Sequence, residues 1–195
     1  MLSFGCDKTA KLYISYIKLI VFIILFPSGC IFIKDVYFEY KWYRLTEQSF
    51  SGRTKEILPE YRYLYNDWNG NPFFLYNYGA ELNHIKEYSK SIAVLHKCEK
   101  YFNDYDVQML LADNYDNMDQ FNEAERYYLL ASDMCPNRFI PLHRIMKIHD
   151  KKGCMKEADS IARIIITKKI KIPSSVITRI KIDAEKRIEP ETWKN

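Results

Sequence analysis

The feature that most constrains this chain is a period. Sliding the sequence against itself brings Tyr78 onto Leu111 and Ile145, Gly79 onto Ala112 and Met146, and Leu82 onto Tyr115 and His149. The same register pairs Tyr88 with Phe121 and Met155, and Ser91 with Ala124 and Ala158. It then pairs Leu95 with Tyr128 and Ala162, and Cys98 with Ala131 and Ile165. Each column advances by 33 residues and then by 34. Within a copy, the first three columns are spaced i, i+1, i+4 and form one face of a helix, and the later four form one face of a second helix. A small residue in the second column lets the partner helix approach closely. Ser91, Ala124 and Ala158 answer it from the second helix, where a large side chain would force the pair apart.

Periods near 34 residues mark helix–turn–helix repeats of the tetratricopeptide class. The best-formed copy, Asp106 to Pro136, carries Leu111, Ala112, Tyr115, Phe121, Ala124, Tyr128, Ala131 and Pro136 at the marker positions of that class. Two markers weaken: Gln108 stands where a bulky apolar residue is usual, and only this copy has its terminal proline. Upstream, Trp42 to Leu45 and Ile57 to Tyr65 fit a degraded earlier copy, with Pro59 expected to shorten its second helix. Downstream, Pro173-Ser174-Ser175 is a helix start signal, followed by an apolar stripe of Val176, Ile177, Ile180 and Ala184. That stripe predicts a capping helix over the last open apolar face.

The other dominant segment runs from Leu19 to Ile33, fifteen residues without a charge. Extended back to Ile14 it spans about 30 Å as a helix, the thickness of a hydrocarbon core. Lys18 can snorkel to the headgroups, and Tyr13 and Tyr16 on one side with Tyr37, Tyr40 and Trp42 on the other suit interfacial belts. Length and flanks favour a retained signal anchor. A lipoprotein signal ending at Ser28-Gly29-Cys30 stays open, although Pro27 stands where that motif wants Leu. A buried core helix stays open too, because a strictly apolar run of this length is short for a span. Lys8, Lys11 and Lys18 before the segment balance Lys34, Lys41 and Arg44 after it, so the charge bias gives no orientation. Read as an export signal, the segment puts the C-terminal part outside the cytoplasm.

The expected architecture is all-α: one transmembrane helix followed by a tetratricopeptide-like α-solenoid of about three helical hairpins plus a capping helix. The boundaries are a tail at 1–13, the span at 14–34, a juxtamembrane helix with the degraded repeat at 35–71, repeats at 72–172, the cap at 173–188 and a tail at 189–195. Sixteen Tyr and eleven Phe are assigned to helix packing. Six Gly and seven Pro are too few turn signals for a many-stranded β fold. Charge is uneven: Glu99 to Glu125 holds eight acidic residues and one basic, whereas His143 to Arg187 holds thirteen basic and five acidic. That pattern predicts an electrically lopsided molecule. Cys6, Cys30, Cys98, Cys135 and Cys154 show no paired spacing and read as packing residues.

The order of features is similar to the C-terminal tail of O-antigen ligase or polymerase-like membrane proteins of Bacteroidetes. The more specific pieces are FEYKWYR after the apolar segment, SDMCPNRFIPLHRIMKIHDKKG, and KKIKIPSSVITRIK near the end. In that family a last membrane helix runs into an extracytoplasmic repeat region, while the polytopic part that would hold the transferase chemistry has no counterpart here. The resemblance implies an envelope polysaccharide setting in the inner membrane, single-pass, with the C-terminal domain facing the periplasm. It transfers no catalytic residue.

No phosphate-binding glycine loop, zinc-protease motif or nucleophile elbow occurs. Asp113, Asn117 and Asp119 loosely suggest a calcium loop, which fails because Met118 replaces its Gly and Ala124 its bidentate Glu. His84, His96, His143 and His149 are scattered and read as surface or packing histidines. No catalytic activity, cofactor, metal or nucleic acid is expected. Stacked hairpins curve, and their first helices line a groove used for partners. Register places Tyr76, Asn77, Asn83 and His84 there from the first copy, Met109, Asp113, Asp116 and Asn117 from the second, and His143, Lys147 and Lys151 from the third. The expected partners are membrane lipid through residues 14–34 and a protein of the polytopic envelope glycan machinery. The alternative is a non-catalytic subunit or detached tail of a split glycosyl-transfer enzyme.

Overall fold

The computed structural model describes residues 6–189, among which the chain is helical throughout and forms no strand. In chain order the helices are α1 (Cys6–Phe50), α2 (Thr54–Trp68), α3 (Pro72–His84), α4 (Tyr88–Glu99), α5 (Tyr105–Asn117), α6 (Phe121–Met134), α7 (Ile140–Lys151), α8 (Met155–Thr167) and α9 (Ser175–Ile188). They divide into two units, one ending at Arg53 and one starting at Thr54. The tail expected at 189–195 lies outside the described residues beyond Glu189.

The first unit is α1. It takes in part of the expected N-terminal tail, the expected span and the residues after it without a break. A stretch from Ser15 to Ser49 is long and apolar enough to cross a membrane, and none of its most apolar window is buried. Pro27 sits inside the helix, and next to it the Ser28 hydroxyl donates to the Leu25 carbonyl at 2.8 Å. Such a back-bond is a normal accommodation within an apolar helix.

The second unit is built from three copies of one hairpin: α3–α4, α5–α6 and α7–α8. Each turn has its middle residue in the left-handed region: Lys86 at φ 66°, Asp119 at φ 56° and Gly153 at φ 72°. In each, the next amide reaches back five residues: Glu87 N–H to Leu82 O at 2.8 Å, Gln120 to Tyr115 at 2.9 Å and Cys154 to His149 at 2.9 Å. The left-handed residue itself donates to the carbonyl three residues earlier, at 2.8, 3.1 and 3.1 Å in turn. These are three Schellman motifs, each satisfying the last carbonyls of a first helix. Only the third copy uses glycine at the left-handed position. Side chains cap the starts of α3, α5 and α9: Asn71 Oδ1 accepts from Phe74 N, Asp104 Oδ1 from Val107 N, and Ser174 Oγ from Ile177 N.

The repeat columns are the core. Tyr78, Leu111 and Ile145, then Ser91, Ala124 and Ala158, then Cys98, Ala131 and Ile165 are all buried. Four positions depart from the columns, Tyr88, Tyr115 and Phe121 being half-buried and Met155 exposed. The second column corrects the expectation of a uniformly small residue. A Cβ on Gly79 would lie 2.7 Å from Leu95 Cδ2, so there the first helix must be smallest. In the third copy the first helix carries Met146 and the second carries Ala162, both fully buried in one cluster. What is kept is the filled volume, shared differently between the two helices.

Pro59 does not shorten its helix. It lies inside α2, which continues to Trp68, so a single proline inside this 15-residue helix is tolerated. The aromatic load packs mainly where α2 meets α3: Tyr61 stacks on Phe74 and Tyr78 at 5.6 Å each, with Tyr65 and Trp68 closing the group. At the other end, α9 buries Ile180 and Ala184 against Met146 and Ile165, with Ile177 at the margin. Val176, expected within that stripe, is instead 42% exposed. The Lys181 ammonium donates to the Ile166 carbonyl at 2.7 Å, satisfying the end of α8.

Candidate functional site

The first helices α3, α5 and α7 carry every residue expected on the groove, and α9 extends the row beside α7. Their side chains fall into two sets.

The larger set is committed to holding the stack together. Asn83 donates to Asn114 Oδ1 at 3.0 Å, and fully buried Asn114 donates to Ser91 Oγ at 2.9 Å and to the Leu110 carbonyl at 2.8 Å. Ser91 in turn donates to the Gly79 carbonyl at 2.6 Å. This chain of bonds joins α3, α4 and α5 through neutral groups, each with a partner. Across the next junction the groups are ionic. Asp116 meets Lys151 at 2.6 Å, and Asp113 accepts from the Tyr128 hydroxyl with Arg144 at 3.8 Å. Asn117 donates to the Asp113 carbonyl at 2.7 Å within its own turn of helix, so the supposed calcium loop is a helix end followed by a Schellman turn. His143 and Lys147 each lie 2.7 Å from Asp183 of the cap. Behind them, Arg187 pairs with Asp150 and, at 3.0 Å, with Asp159.

The protonation of these carboxylates follows from their surroundings. Burial pushes the Asp113 pKa up, only partly offset by the Tyr128 hydrogen bond and Arg144. Partial burial pushes Asp183 up as well, but hydrogen bonds from Lys147 and His143 outweigh it and leave that carboxyl below its ordinary value. The Tyr128 phenol is pushed far up by burial and by the Asp113 carboxylate, so it stays a donor.

The smaller set is uncommitted. Tyr76, Asn77 and Met109 are half-buried and His84 is exposed, and none makes a side-chain hydrogen bond or ion pair among the described residues. Burial and the carboxylates of Asp106 and Asp104 raise the Tyr76 pKa.

Sequence reasoning missed Asn114, Arg144 and Asp183, which bind the expected groove residues. Asn114 falls outside every column, and Asp183 belongs to a helix read only for its apolar stripe. Gln108, noted as a weakened marker, is fully buried and donates to Glu99 at 2.9 Å and Asn103 at 2.6 Å. Glu99 also meets His96, whose other ring nitrogen lies 3.0 Å from the Tyr115 hydroxyl. His149, which is buried, pairs with Glu125 at 3.2 Å. Cys98 is buried with its thiol 3.2 Å from the Pro72 carbonyl, and burial pushes its pKa up to about 11, which fits a packing role. Cys30, by contrast, is exposed on α1.

The structure is similar to several solved proteins. MamA from Desulfovibrio magneticus RS-1 superposes with a TM-score of 0.62 at 16% identity, covering 75% of this chain and 76% of that one. Another MamA crystal structure gives 0.63 at 12% identity, covering 81% and 96%. PilF from Pseudomonas aeruginosa gives 0.60 at 15% identity, covering 78% and 69%. No family model and no curated protein matches the chain. The fold is a tetratricopeptide-like α-solenoid. At these identities the likeness concerns the fold alone.

Proposed function

We propose that the chain is a membrane-anchored, extracytoplasmic, non-catalytic interaction module that engages a protein of the envelope polysaccharide assembly machinery. The observation that carries the binding role is the first-helix row. It is rigidified by the Asn83–Asn114–Ser91 and Asp–Lys/Arg contacts, yet leaves Tyr76, Asn77, Met109 and His84 without side-chain hydrogen bonds or ion pairs among the described residues. Rigid scaffolds presenting uncommitted aromatic, amide and thioether groups bind at low ordering cost. The anchor is α1, whose apolar stretch is unburied and would be costly to leave in water. The O-antigen ligase-like pieces at residues 38–44 and 168–181 support the polysaccharide setting and a polytopic partner. A stand-alone subunit and a detached tail of a split transferase would use the same face.

Affinity capture of the intact chain from detergent-solubilised membranes, read by mass spectrometry, tests the assignment. A Tyr76→Ala/Asn77→Ala/Met109→Ala chain is expected to keep its helicity and lose a polytopic membrane protein that the unaltered chain retains. Identical partner sets from both would remove the face from consideration. Resistance to carbonate extraction, with protease cleavage of the solenoid from outside the cytoplasm, is the result expected for the anchor. Release by carbonate would refute it.

A further inference from the structure

Two adjoining cavities open at the C-terminal end of the solenoid, and both are walled by Ile140 and Val176. One, of about 510 Å³, lies between the start of α7 and the loop before α9, with Phe139 and Ile172 as further walls and Arg138 and Lys171 at its mouth. The other, of about 450 Å³, continues between α7 and α9 with Arg144 and Arg179 at its sides. Its carboxylate, Asp183, is already held by His143 and Lys147.

Several apolar side chains are left open here: Ile172 is 79% exposed and Val176 42%. They are the residue of an imperfect cap, since α9 turns Ile180 and Ala184 inward and Val176 outward. The neighbouring charge is one-sided. From Arg163 to Arg179 the chain has five basic residues and no acidic one. Upstream, the acidic residues Asp113 and Asp116 are drawn into pairs with Arg144 and Lys151, so they do not neutralise this end.

Resting on the interaction reading, we propose that this two-chambered groove is a docking site for an extended acidic peptide segment of the partner. Two apolar side chains of that segment fill the chambers, and carboxylates beside them pair with Lys171 and Arg179. A shared Ile140–Val176 wall separates chambers into which alternate side chains of an extended strand can point. A lipid surface suits the Lys-Ile-Lys-Ile sequence but not a concave site, and so becomes an outcome of the test.

The test is selection of phage-displayed random dodecapeptides on the full chain in detergent, with the Lys171→Glu/Arg179→Glu chain as counter-target. Peptides with apolar residues flanked by Asp or Glu are expected to enrich. Their synthetic versions should bind roughly tenfold or more weakly to the double variant, and more weakly as salt rises. Ile172→Ser, an exposed change that spares the fold, should weaken them without altering the salt dependence. Enrichment of peptides lacking carboxylates, or equal binding to both chains, overturns the groove while leaving an interaction module that binds elsewhere. Failure to select any peptide overturns the peptide-docking role itself. Cosedimentation with phosphatidylserine vesicles, lost in the double variant and unaccompanied by peptide binding, would assign the site to lipid instead.

Discussion

The junction between α3–α4 and α5–α6 is joined at its centre by neutral groups, whereas that between α5–α6 and α7–α8 is joined by ions. In the first, Asn83, Asn114, Ser91 and the Gly79 carbonyl form an unbroken line of donors and acceptors, two of its side chains fully buried. In the second, Asp113, Asp116 and Glu125 face Arg144, Lys151 and Lys152 at partly exposed positions. A buried neutral network tolerates no missing member, because each orphaned group keeps its full desolvation cost. Half-exposed ions lose a partner to water at small cost. Two junctions of the same backbone geometry are therefore expected to respond oppositely to mutation and to salt.

The largest effect is expected at Asn114. Asn114→Ala removes three hydrogen bonds and leaves a cavity, which should cost about 2–3 kcal/mol in urea denaturation followed by circular dichroism. That loss should not change with ionic strength. A loss below about 0.5 kcal/mol would mean the neutral network is not what holds the first junction. Asp116→Ala at the second junction should cost under about 1 kcal/mol and nearly vanish at about 1 M salt, where the Debye length is about 3 Å. If Asp116→Ala costs as much as Asn114→Ala, or ignores salt, the contrast fails.

The smallest effect is a pH dependence at the cap. Asp183 has a lowered pKa in the fold, so the unfolded chain binds its proton more readily. Its contribution is present above the ordinary aspartate value and is lost as pH falls through the lower folded value. Asp113, raised by burial, carries the opposite sign: its contribution declines as pH climbs through its raised value. Thermal melts from pH 6 to about 3 should therefore show a steeper acid loss for the unaltered chain than for Asp183→Asn. Equal slopes would remove Asp183 as the acid-sensitive contact.

The hairpins were legible because packing has a period. Ser91, Ala124 and Ala158 have to be small wherever helices cross, and that requirement repeats with the backbone. The turns were less legible, since Lys86 and Asp119 adopt a left-handed conformation without advertising it as Gly153 does. Met146 breaks the expected small second column because volume is conserved between helices and not at one position. The junction bonds were least visible. Asn114 and Asp183 act by meeting side chains 31 and 40 residues away, and no local pattern encodes such a meeting. The charge blocks were read as an imbalance along the molecule, although Asp113, Asp116 and Glu125 of the acidic block are paired with basic residues of the next hairpin.

The most direct measurement is photo-crosslinking in living cells from benzophenone side chains placed singly at Asn77 and Met109 on the first helices, and at Leu129 and Ile164 on the second helices. A membrane protein crosslinked from Asn77 and Met109 but not from Leu129 or Ile164 is the expected result. Adducts from the second-helix positions alone, or none from any position, would contradict a partner-binding first-helix face.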